Sequence, residues 1–219
     1  MTEANAQYAA QSMHSKPMRV WRYLPASIVL ALGIPLIFIV VMALVDGVSY
    51  ARQAPLRAVL GNTTFDALQG GQRTPQHYMG ERFLAPDFTL RDQHGQPWRL
   101  RSQRGRLVVM NFWSVTCAPC IEEIPSLQEL AWLTEGWGDV DVVMVSIDKN
   151  WEAVSPVFES SPRFPVLFDP QKKVVRELYG TRLYPETWVI DKQGLIRLRL
   201  DGKQAWSSPV MLDVLRALR

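Results

Sequence analysis

The sequence predicts an α/β domain with a mixed β-sheet, preceded by one apolar helix. From about residue 83 strand and helix signals alternate, and the series ends with a hairpin signal at residues 192–194. A βαβ alternation that ends in a hairpin is typical of a sheet with both parallel and antiparallel strands. The continuous apolar run Leu107–Trp113 indicates a strand that is buried on both faces of that sheet.

The remaining elements follow from apolar spacing and from the turn residues between apolar segments. Residues 92–96 contain Gly95 and predict a β-hairpin between strands at 88–90 and 98–100. The helical spacing of Ile121, Ile124 and Leu127 predicts a helix from Cys117 to about residue 134. Further strands are predicted at 140–147, 164–168, 187–190 and 195–200, and further helices at 151–159, 172–179 and 208–218.

The composition is that of a folded protein and excludes several classes. The 219 residues suffice for one well-buried domain with appendages, and a hydrophobic fraction of 47% argues against wholesale disorder. The net charge is only +3, and the arginines between residues 91 and 106 alternate with polar and turn residues. We interpret them as a solvated face and expect no nucleic-acid partner.

Residues 24–45 predict a transmembrane anchor. This run has 22 residues without a charge, and as a helix it would be roughly 33 Å long, enough to cross a bilayer core. Trp21 and Tyr23 occupy the place of an interfacial aromatic belt. A cleaved signal peptide is the less favoured alternative, because its apolar region is usually shorter and Ser49-Tyr50-Ala51 is a poor cleavage site.

The charges beside this run predict its orientation. Lys16, Arg19 and Arg22 precede it, whereas Arg52 and Arg57 follow it. By the positive-inside rule, residues 1–23 form a cytoplasmic tail and the C-terminal domain lies on the periplasmic, extracytoplasmic side of a single-pass inner membrane protein. Turn residues between 46 and 80 predict a linker, with a possible short helix near 52–60, and residues 81–219 form the domain.

The two cysteines of the chain, Cys117 and Cys120, are three positions apart. A disulfide scaffold needs more cysteines, spread through the chain. A structural zinc site needs four ligands, and all three histidines precede the pair. The sequence therefore predicts neither a metal site nor a cofactor.

The Cys117-Ala118-Pro119-Cys120 run predicts a redox-active dithiol. Thiol–disulfide exchange requires a thiolate, which the first turn of a helix stabilises with unpaired backbone N–H groups and its dipole. Cys117 follows the strand directly, and Pro119 suits the first helical turn because its missing N–H costs nothing there. Cys120 lies one turn later and can resolve a mixed disulfide.

At these positions the chain resembles a known group. Residues 111–113 (Asn-Phe-Trp), the C-x-x-C run, and Glu123 with Pro125 resemble the TlpA/ResA/CcmG group of membrane-anchored thioredoxin-like proteins. The resemblance extends to residues 85–88 and 184–191 and covers about residues 83–219. It implies a thioredoxin-like fold with an N-terminal β-hairpin extension.

The resemblance also implies further site residues. Pro185 matches the proline that forms a cis peptide bond beside the dithiol, a minority state for X-Pro bonds. Glu186 matches the P-E-T of the CcmG branch, in which an acidic residue lies near the cysteines. Glu123 matches a partly buried carboxylate that would raise the thiolate pKa values and could relay protons. Asn111 stands where thioredoxins have a buried aspartate, and Trp113 is expected to fill the core and to wall the site.

Two positions depart from the group. Thr116 replaces the tryptophan that usually precedes the first cysteine, and Tyr184 replaces a small or β-branched residue before the cis-proline. Both lie where a partner would dock, so they affect the choice of partner and not the electron chemistry.

The favoured function is that of a thiol–disulfide oxidoreductase that reduces disulfides of extracytoplasmic proteins. The resemblance implies targets in cytochrome c or oxidase assembly and a membrane electron donor of the CcdA or DsbD type. The expected partners are thus disulfide-containing proteins, this donor and membrane lipid around residues 24–45, with the protein acting as a monomer.

Two alternatives use related folds. A thiol peroxidase places proline seven residues and Ser or Thr three residues before the reactive cysteine, and here Met110 and Ser114 hold those positions. A copper chaperone needs C-x-x-x-C and a later histidine, but no histidine follows His94. The redox direction is not fixed by sequence, although a proline before the second cysteine resembles reductants more than oxidants.

Overall fold

The computed structural model describes residues 24–70, 76–78 and 83–219. The predicted N-terminal tail, with its basic residues and aromatic pair, lies outside the described residues, as do positions 71–75 and 79–82 of the predicted linker. The contacts divide the chain into two compact units, Met1–Tyr50 and Ala51–Arg219.

The elements follow the predicted alternation closely from the hairpin onward. Five helices are described: α1 Leu24–Leu60, α2 Asn62–Gly70, α3 Ala118–Glu135, α4 Trp151–Val154 and α5 Pro209–Leu218. Eight strands are described: β1 Gln76–Tyr78, β2 Thr89–Arg91, β3 Pro97–Arg99, β4 Leu107–Trp113, β5 Val140–Ser146, β6 Val166–Phe168, β7 Glu186–Ile190 and β8 Ile196–Asp201.

The main sheet is mixed, as predicted. Its six strands run in the order β1-β8-β7-β4-β5-β6. Strands β4, β5 and β6 are parallel, whereas β7, β8 and β1 continue the sheet with antiparallel pairs. The carboxyl ends of β4 and β5 and the start of β7 therefore meet at one edge of the sheet.

Both faces of the sheet are covered, which explains why every residue of β4 is buried. One face packs against α3 and α5 and includes Val109, Trp113 and Trp206. The other face includes Met110, Phe112 and Trp188 beneath the predicted β2–β3 hairpin. Because neighbouring residues of a strand point to opposite faces, this alternation decides which side chains can reach the dithiol helix.

Two predicted helices differ in type or length from the prediction. The helix predicted at 151–159 is α4 followed by a 3₁₀ turn at Ser155–Val157, where Pro156 cannot donate a helical hydrogen bond. The helix predicted at 172–179 is a π-helical turn, Lys173–Leu178. The Asp169 carboxylate accepts from Lys173 N at 3.0 Å and from Val175 N at 2.9 Å, and so satisfies donors of its first turn.

The region predicted as a linker differs most from expectation. Residues 51–70 belong to the larger compact unit, in which α1 runs to Leu60 and α2 follows. Leu56, Leu60, Phe65 and Leu68 are all buried in the hydrophobic core on the α3 and α5 side of the sheet. Gly61 adopts a positive φ of 76° directly after α1. This glycine, which the sequence suggested as part of a linker, forms the turn between α1 and α2.

Of the smaller unit, the structure describes only residues 24–50, which belong to α1. Every side chain from Ile34 to Val48 is exposed, including Leu36, Phe38 and Leu44. Among the residues whose side chains are described, no single helix is long and apolar enough to cross a membrane. The segments Leu32–Val48 and Gln53–Leu60 meet that requirement only when taken together.

The buried α2 predicts a test of the domain boundary. Phe65 is 1% exposed, so Phe65→Ala should lower the free energy of unfolding by about 3 kcal/mol through lost burial and a cavity. Val59→Ala is the control, because Val59 is 42% exposed and its truncation should have little effect. Urea unfolding of the full chain in mild detergent measures both; equal, small effects would mean that residues 51–70 do not contribute to the domain.

Candidate active site

The two cysteines lie where β4 gives way to α3. Cys117 is the N-cap of α3, with φ −100° and ψ 99°, and its sulfur accepts from the backbone N–H of Cys120 at 3.3 Å. The two residues form a disulfide with a Cα–Cα distance of 5.3 Å. Cys117 is half-buried, whereas Cys120 is 1% exposed. Only the first sulfur can therefore be reached by another protein, and the helix N-terminus stabilises its thiolate.

The loop before Cys117 is held by Asp148, a residue that sequence reasoning missed. The Asp148 carboxylate accepts from Ser114 Oγ at 3.0 Å, from Val115 N at 2.9 Å and from Ser146 Oγ at 2.8 Å. Cys117 N in turn donates to Ser114 O at 3.1 Å. Asp148 follows β5 at the carboxyl edge that β5 shares with β4, and that position was the signal available in the sequence.

Glu123 lies on the buried face of α3, one turn after Cys120, and is 1% exposed. Its Oε1 accepts from the backbone N–H of Gln204 at 2.9 Å and from Trp206 Nε1 at 2.5 Å. Its Oε2 accepts from Asn111 Nδ2 at 3.2 Å. Glu123 is therefore a buried carboxyl group with hydrogen-bond donors on both oxygens, and not an exposed glutamate on the helix surface.

Burial raises the pKa of Glu123 to about 7, and the hydrogen bonds from Gln204, Trp206 and Asn111 and the charge of Lys203 oppose that rise. Desolvation disfavours the charged form, whereas donors favour it. The result is a carboxyl group that exchanges its proton near neutral pH, the property expected of an acid–base group.

Asn111 links three elements at this point. Its Nδ2 donates to Glu123 Oε2 on α3 and to Thr187 Oγ1 on β7, the latter at 2.9 Å. Its Oδ1 is buried without a hydrogen-bond partner in the described part of the chain. Asn111 therefore supplies a neutral donor at the position where a second buried carboxylate would repel Glu123.

The Tyr184–Pro185 peptide bond is cis, as the resemblance implies. Pro185 is buried directly before β7, and Glu186 of β7 pairs with Phe112 of β4. This register places Pro185 beside the carboxyl end of β4, at the edge of the sheet where the chain leads from β4 to Cys117. Tyr184 is half-buried and packs against the core on both faces of the sheet.

Glu186 lies on the opposite face of the sheet from α3, so the structure does not bring its side chain to the dithiol helix. It accepts from Thr181 Oγ1, from Trp188 Nε1 at 2.8 Å and from Arg199 at 2.7 Å. Burial raises its pKa, and the contacts with Thr181 and Arg199 oppose the rise. Strand alternation is the reason: Thr187 faces Asn111 and α3, so its neighbour Glu186 must face away.

The other predicted residues divide between core and surface. Trp113 is fully buried and meets the Phe158 ring edge-on at 5.7 Å, and its Nε1 has no partner among the described residues. Pro119 and Thr116 are exposed beside Cys117. Trp113 therefore belongs to the core beneath the dithiol, whereas Pro119 and Thr116 belong to the surface that a partner meets.

Sequence reasoning also missed Gln204 and Trp206. Both lie in the connection between β8 and α5, more than 80 positions along the chain from Glu123. From sequence alone, a tryptophan before a helix is expected to be an ordinary core residue. No local pattern indicates that its N–H donates to a carboxyl group.

A dithiol at the N-terminus of a helix, on a mixed sheet with a cis-proline at the same edge, defines a thiol–disulfide oxidoreductase with a thioredoxin-like fold. Comparison with known proteins agrees, and the resemblance to ResA-type proteins is confirmed. The chain belongs to the AhpC/TSA family, whose model matches residues 83–199.

Of two relatives that match the chain, one is named as a thiol-disulfide oxidoreductase and the other as a thioredoxin-like protein. The chain is 35% identical over 121 residues to the thiol-disulfide oxidoreductase ResA of Geobacillus thermodenitrificans, covering 54% of this chain and 67% of that protein. It is 31% identical over 119 residues to the thioredoxin-like protein YneN of Bacillus subtilis, covering 52% and 66%. The chain thus spans about two thirds of the length of these relatives.

Solved structures support the fold. A Chlorobium tepidum protein assigned as the thiol:disulfide interchange protein DsbE superposes with a TM-score of 0.55 at 28% identity, covering 63% of this chain and 96% of that chain. A Neisseria meningitidis protein assigned as a thioredoxin superposes with a TM-score of 0.52 at 27% identity, covering 61% and 88%.

The buried Glu123 predicts how stability depends on pH. A carboxyl group whose pKa rises from 4.5 to about 7 on folding destabilises the fold increasingly as pH rises through that interval, by about 3 kcal/mol in total. Its contribution is most favourable below pH 4.5, where both folded and unfolded chains hold the proton. Glu123→Gln, which carries no charge, should therefore gain stability relative to the wild type between pH 5 and pH 8.

Denaturant unfolding of the oxidised chain at several pH values measures this difference. Glu122→Gln is the matched control, since Glu122 is the exposed neighbour on the same helix. Parallel pH curves for the wild type and Glu123→Gln would contradict the expected titration.

Proposed function

We propose that this protein is a membrane-anchored reductase of disulfides in extracytoplasmic proteins. The observation that supports this most directly is the pairing of a reachable Cys117 with a buried Cys120 and a buried, protonatable Glu123 on one helix. That arrangement separates the three tasks of attack, resolution and proton transfer among three side chains.

The reaction proceeds by two exchanges. In the reduced protein the Cys117 thiolate attacks one sulfur of a substrate disulfide, and the other substrate sulfur leaves as a thiolate. The Cys120 thiolate then attacks the Cys117 sulfur, and the second substrate thiolate leaves. Two electrons pass to the substrate, which ends as a dithiol, while the protein ends as the Cys117–Cys120 disulfide.

Glu123 serves the second exchange. Cys120 is buried and must lose a proton before it can attack, and Glu123 lies one turn further on the same buried helix face. Because its pKa is about 7, Glu123 accepts that proton near neutral pH and returns it when the disulfide is reduced again. Asn111 and Thr187 support it from the sheet.

The substrate-facing surface lies beside the cis-proline. Leu183, two residues before Pro185, is 83% exposed, and Pro185 lies at the edge of the sheet where β4 leads into Cys117. With Thr116 exposed beside Cys117, this surface suits an extended segment around a substrate cysteine. We propose cysteines of cytochrome c or oxidase assembly as the targets, with monomeric action and a CcdA- or DsbD-type membrane protein as electron donor.

Residues 24–45 provide the anchor in this proposal. They form part of α1, and the described side chains from Ile34 onward are exposed and largely apolar. An apolar surface of this kind needs cover, which a bilayer supplies. The catalytic domain then lies on the extracytoplasmic side, where substrate disulfides form.

Cysteine variants test the reaction. Insulin reduction by the full chain with dithiothreitol should fall to the uncatalysed rate in Cys117→Ser, because the attacking thiolate is lost. Cys120→Ser should instead trap mixed disulfides with substrate proteins, since Cys117 remains reactive but cannot be resolved. Trapping by Cys117→Ser and not by Cys120→Ser would reverse the assigned roles, and unchanged reduction by the double variant would refute the proposal.

The redox potential tests the direction. Equilibration with glutathione should give a value nearer to the roughly −270 mV of thioredoxin than to the roughly −120 mV of a strong oxidant. The peroxidase alternative receives no support from the geometry, because Met110 faces away from α3 and the Ser114 hydroxyl donates to Asp148. Rapid consumption of hydrogen peroxide by the reduced chain, with no disulfide reduction, would nevertheless favour it.

Charge insertion tests the anchor. The double substitution Ile37→Arg and Ile39→Arg should release the protein from alkali-washed membranes, because each arginine costs about 3 kcal/mol at the centre of a bilayer. Val59→Arg, in the same helix but in the larger unit, is the control and should stay in the membrane. Membrane retention of the double variant would mean that this part of α1 is not the anchor.

A further inference from the structure

The connection between β8 and α5 touches two separate parts of the site. Gly202 N donates to the Pro185 carbonyl at 2.8 Å. Two and four residues later, Gln204 N and Trp206 Nε1 both donate to Glu123 Oε1, at 2.9 and 2.5 Å. One segment, residues 202–206, is thus bonded both to the cis-proline and to the buried carboxyl group.

This connecting segment is itself well fixed. Gln204 Nε2 donates to the carbonyls of Asp201 and Gly202 at 3.2 and 2.9 Å, which closes the segment on itself. Gly202 has a φ of +78°, a conformation that glycine adopts without strain. Lys203 forms an ion pair with Glu122 of α3 at 2.5 Å. The donors to Glu123 are therefore held in place before any reaction begins.

Core filling alone does not explain the orientation of Trp206. The ring is fully buried and its N–H donates to the oxygen that already receives Gln204 N, whereas the N–H of the equally buried Trp113 has no partner among the described residues. A chain without a role for this contact could fill the same volume with phenylalanine. The indole N–H adds a third donor to a carboxyl group that Asn111 already contacts from the sheet.

We propose that residues 202–206 are a positioning element of the dithiol site, in which the Trp206 N–H fixes the Glu123 carboxyl group and sets how readily it takes up a proton. This inference rests on the proposed function of Glu123 in proton transfer. In this scheme Trp206 acts on the dithiol through Glu123.

The direction of its effect follows from the groups around the carboxyl. The charge that acts on this carboxyl group is that of Lys203 from the segment, which pairs with Glu122 of α3, while Asn111 of β4 is a neutral donor and the thiols of the reduced dithiol are the titratable groups at the start of α3. The Trp206 hydrogen bond and the Lys203 charge both lower the pKa of Glu123. Removing the indole N–H should therefore raise that pKa, by about one pH unit for a hydrogen bond to a charged group.

The test compares two buried tryptophans that each donate to a buried carboxylate. Trp206→Phe keeps an aromatic ring and removes the donor to Glu123, whereas Trp188→Phe does the same to Glu186 on the opposite face of the sheet. Carbon-13 NMR of labelled glutamate in the oxidised full chain gives the Glu123 midpoint, with Glu123→Gln assigning the signal. The pH profile of Cys117 and Cys120 alkylation in the reduced chain gives the effect on the dithiol.

We expect the Glu123 midpoint to rise by about one pH unit in Trp206→Phe and to stay in place in Trp188→Phe. The alkylation profile should move to lower pH in Trp206→Phe, because a carboxyl group that stays neutral no longer raises the thiol pKa values by repulsion. Trp206→Phe should add nothing in a Glu123→Gln background. Lys203→Met, at a side chain that is 48% exposed, should fold normally and raise the midpoint by a smaller amount.

An unchanged midpoint in Trp206→Phe would overturn the proposal. If Trp206→Phe failed to fold, an unchanged midpoint in Lys203→Met would overturn it instead. If Glu123→Gln left the alkylation profile unaltered while Trp206→Phe still moved the midpoint, the positioning contact would stand and the proposed role of Glu123 in the reaction would fail.

Discussion

The burial of one carboxyl group beneath the dithiol organises this structure. Glu123 receives hydrogen bonds from β4 and from the β8–α5 connection, and Cys117 caps the N-terminus of its own helix. An unpaired carboxylate in this position would be costly, and donors on both of its oxygens offset that cost. The same burial raises the pKa of Glu123 to about 7, so it costs stability as pH rises towards 7 and at the same time provides a group that exchanges its proton near neutral pH.

The mixed sheet brings these parts together. Parallel pairing of β4 with β5 brings Asp148 to the loop before Cys117, and antiparallel pairing of β4 with β7 brings the cis-proline to the same edge. Strand alternation then sorts the side chains: Asn111 and Thr187 face the dithiol helix, whereas Glu186 faces the other layer. Two neighbouring residues of β7 thus have separate roles because they point to opposite faces.

Local patterns predicted most of the fold from the hairpin onward, because apolar runs and turn residues report burial and chain reversal directly. The cysteines and the cis-proline were found for a similar reason, since their motifs are short and continuous. Trp206 and Asp148 were not found, because their roles depend on pairing between distant segments. Within the predicted linker, residues 51–70 pack into the domain, which the sequence did not indicate because their glycines resemble linker residues and Leu56 and Phe65 gain their burial only from the folded core.

The packing of residues 51–70 bears on how the protein should be divided for laboratory work. A recombinant fragment that started at residue 83, where the family match begins, would leave apolar surface on α5 and the neighbouring core without its natural cover. Such a fragment would be prone to self-association, and its behaviour would say little about the intact protein. Expression boundaries placed shortly before Gln53 would preserve the layer that Leu56, Leu60, Phe65 and Leu68 complete.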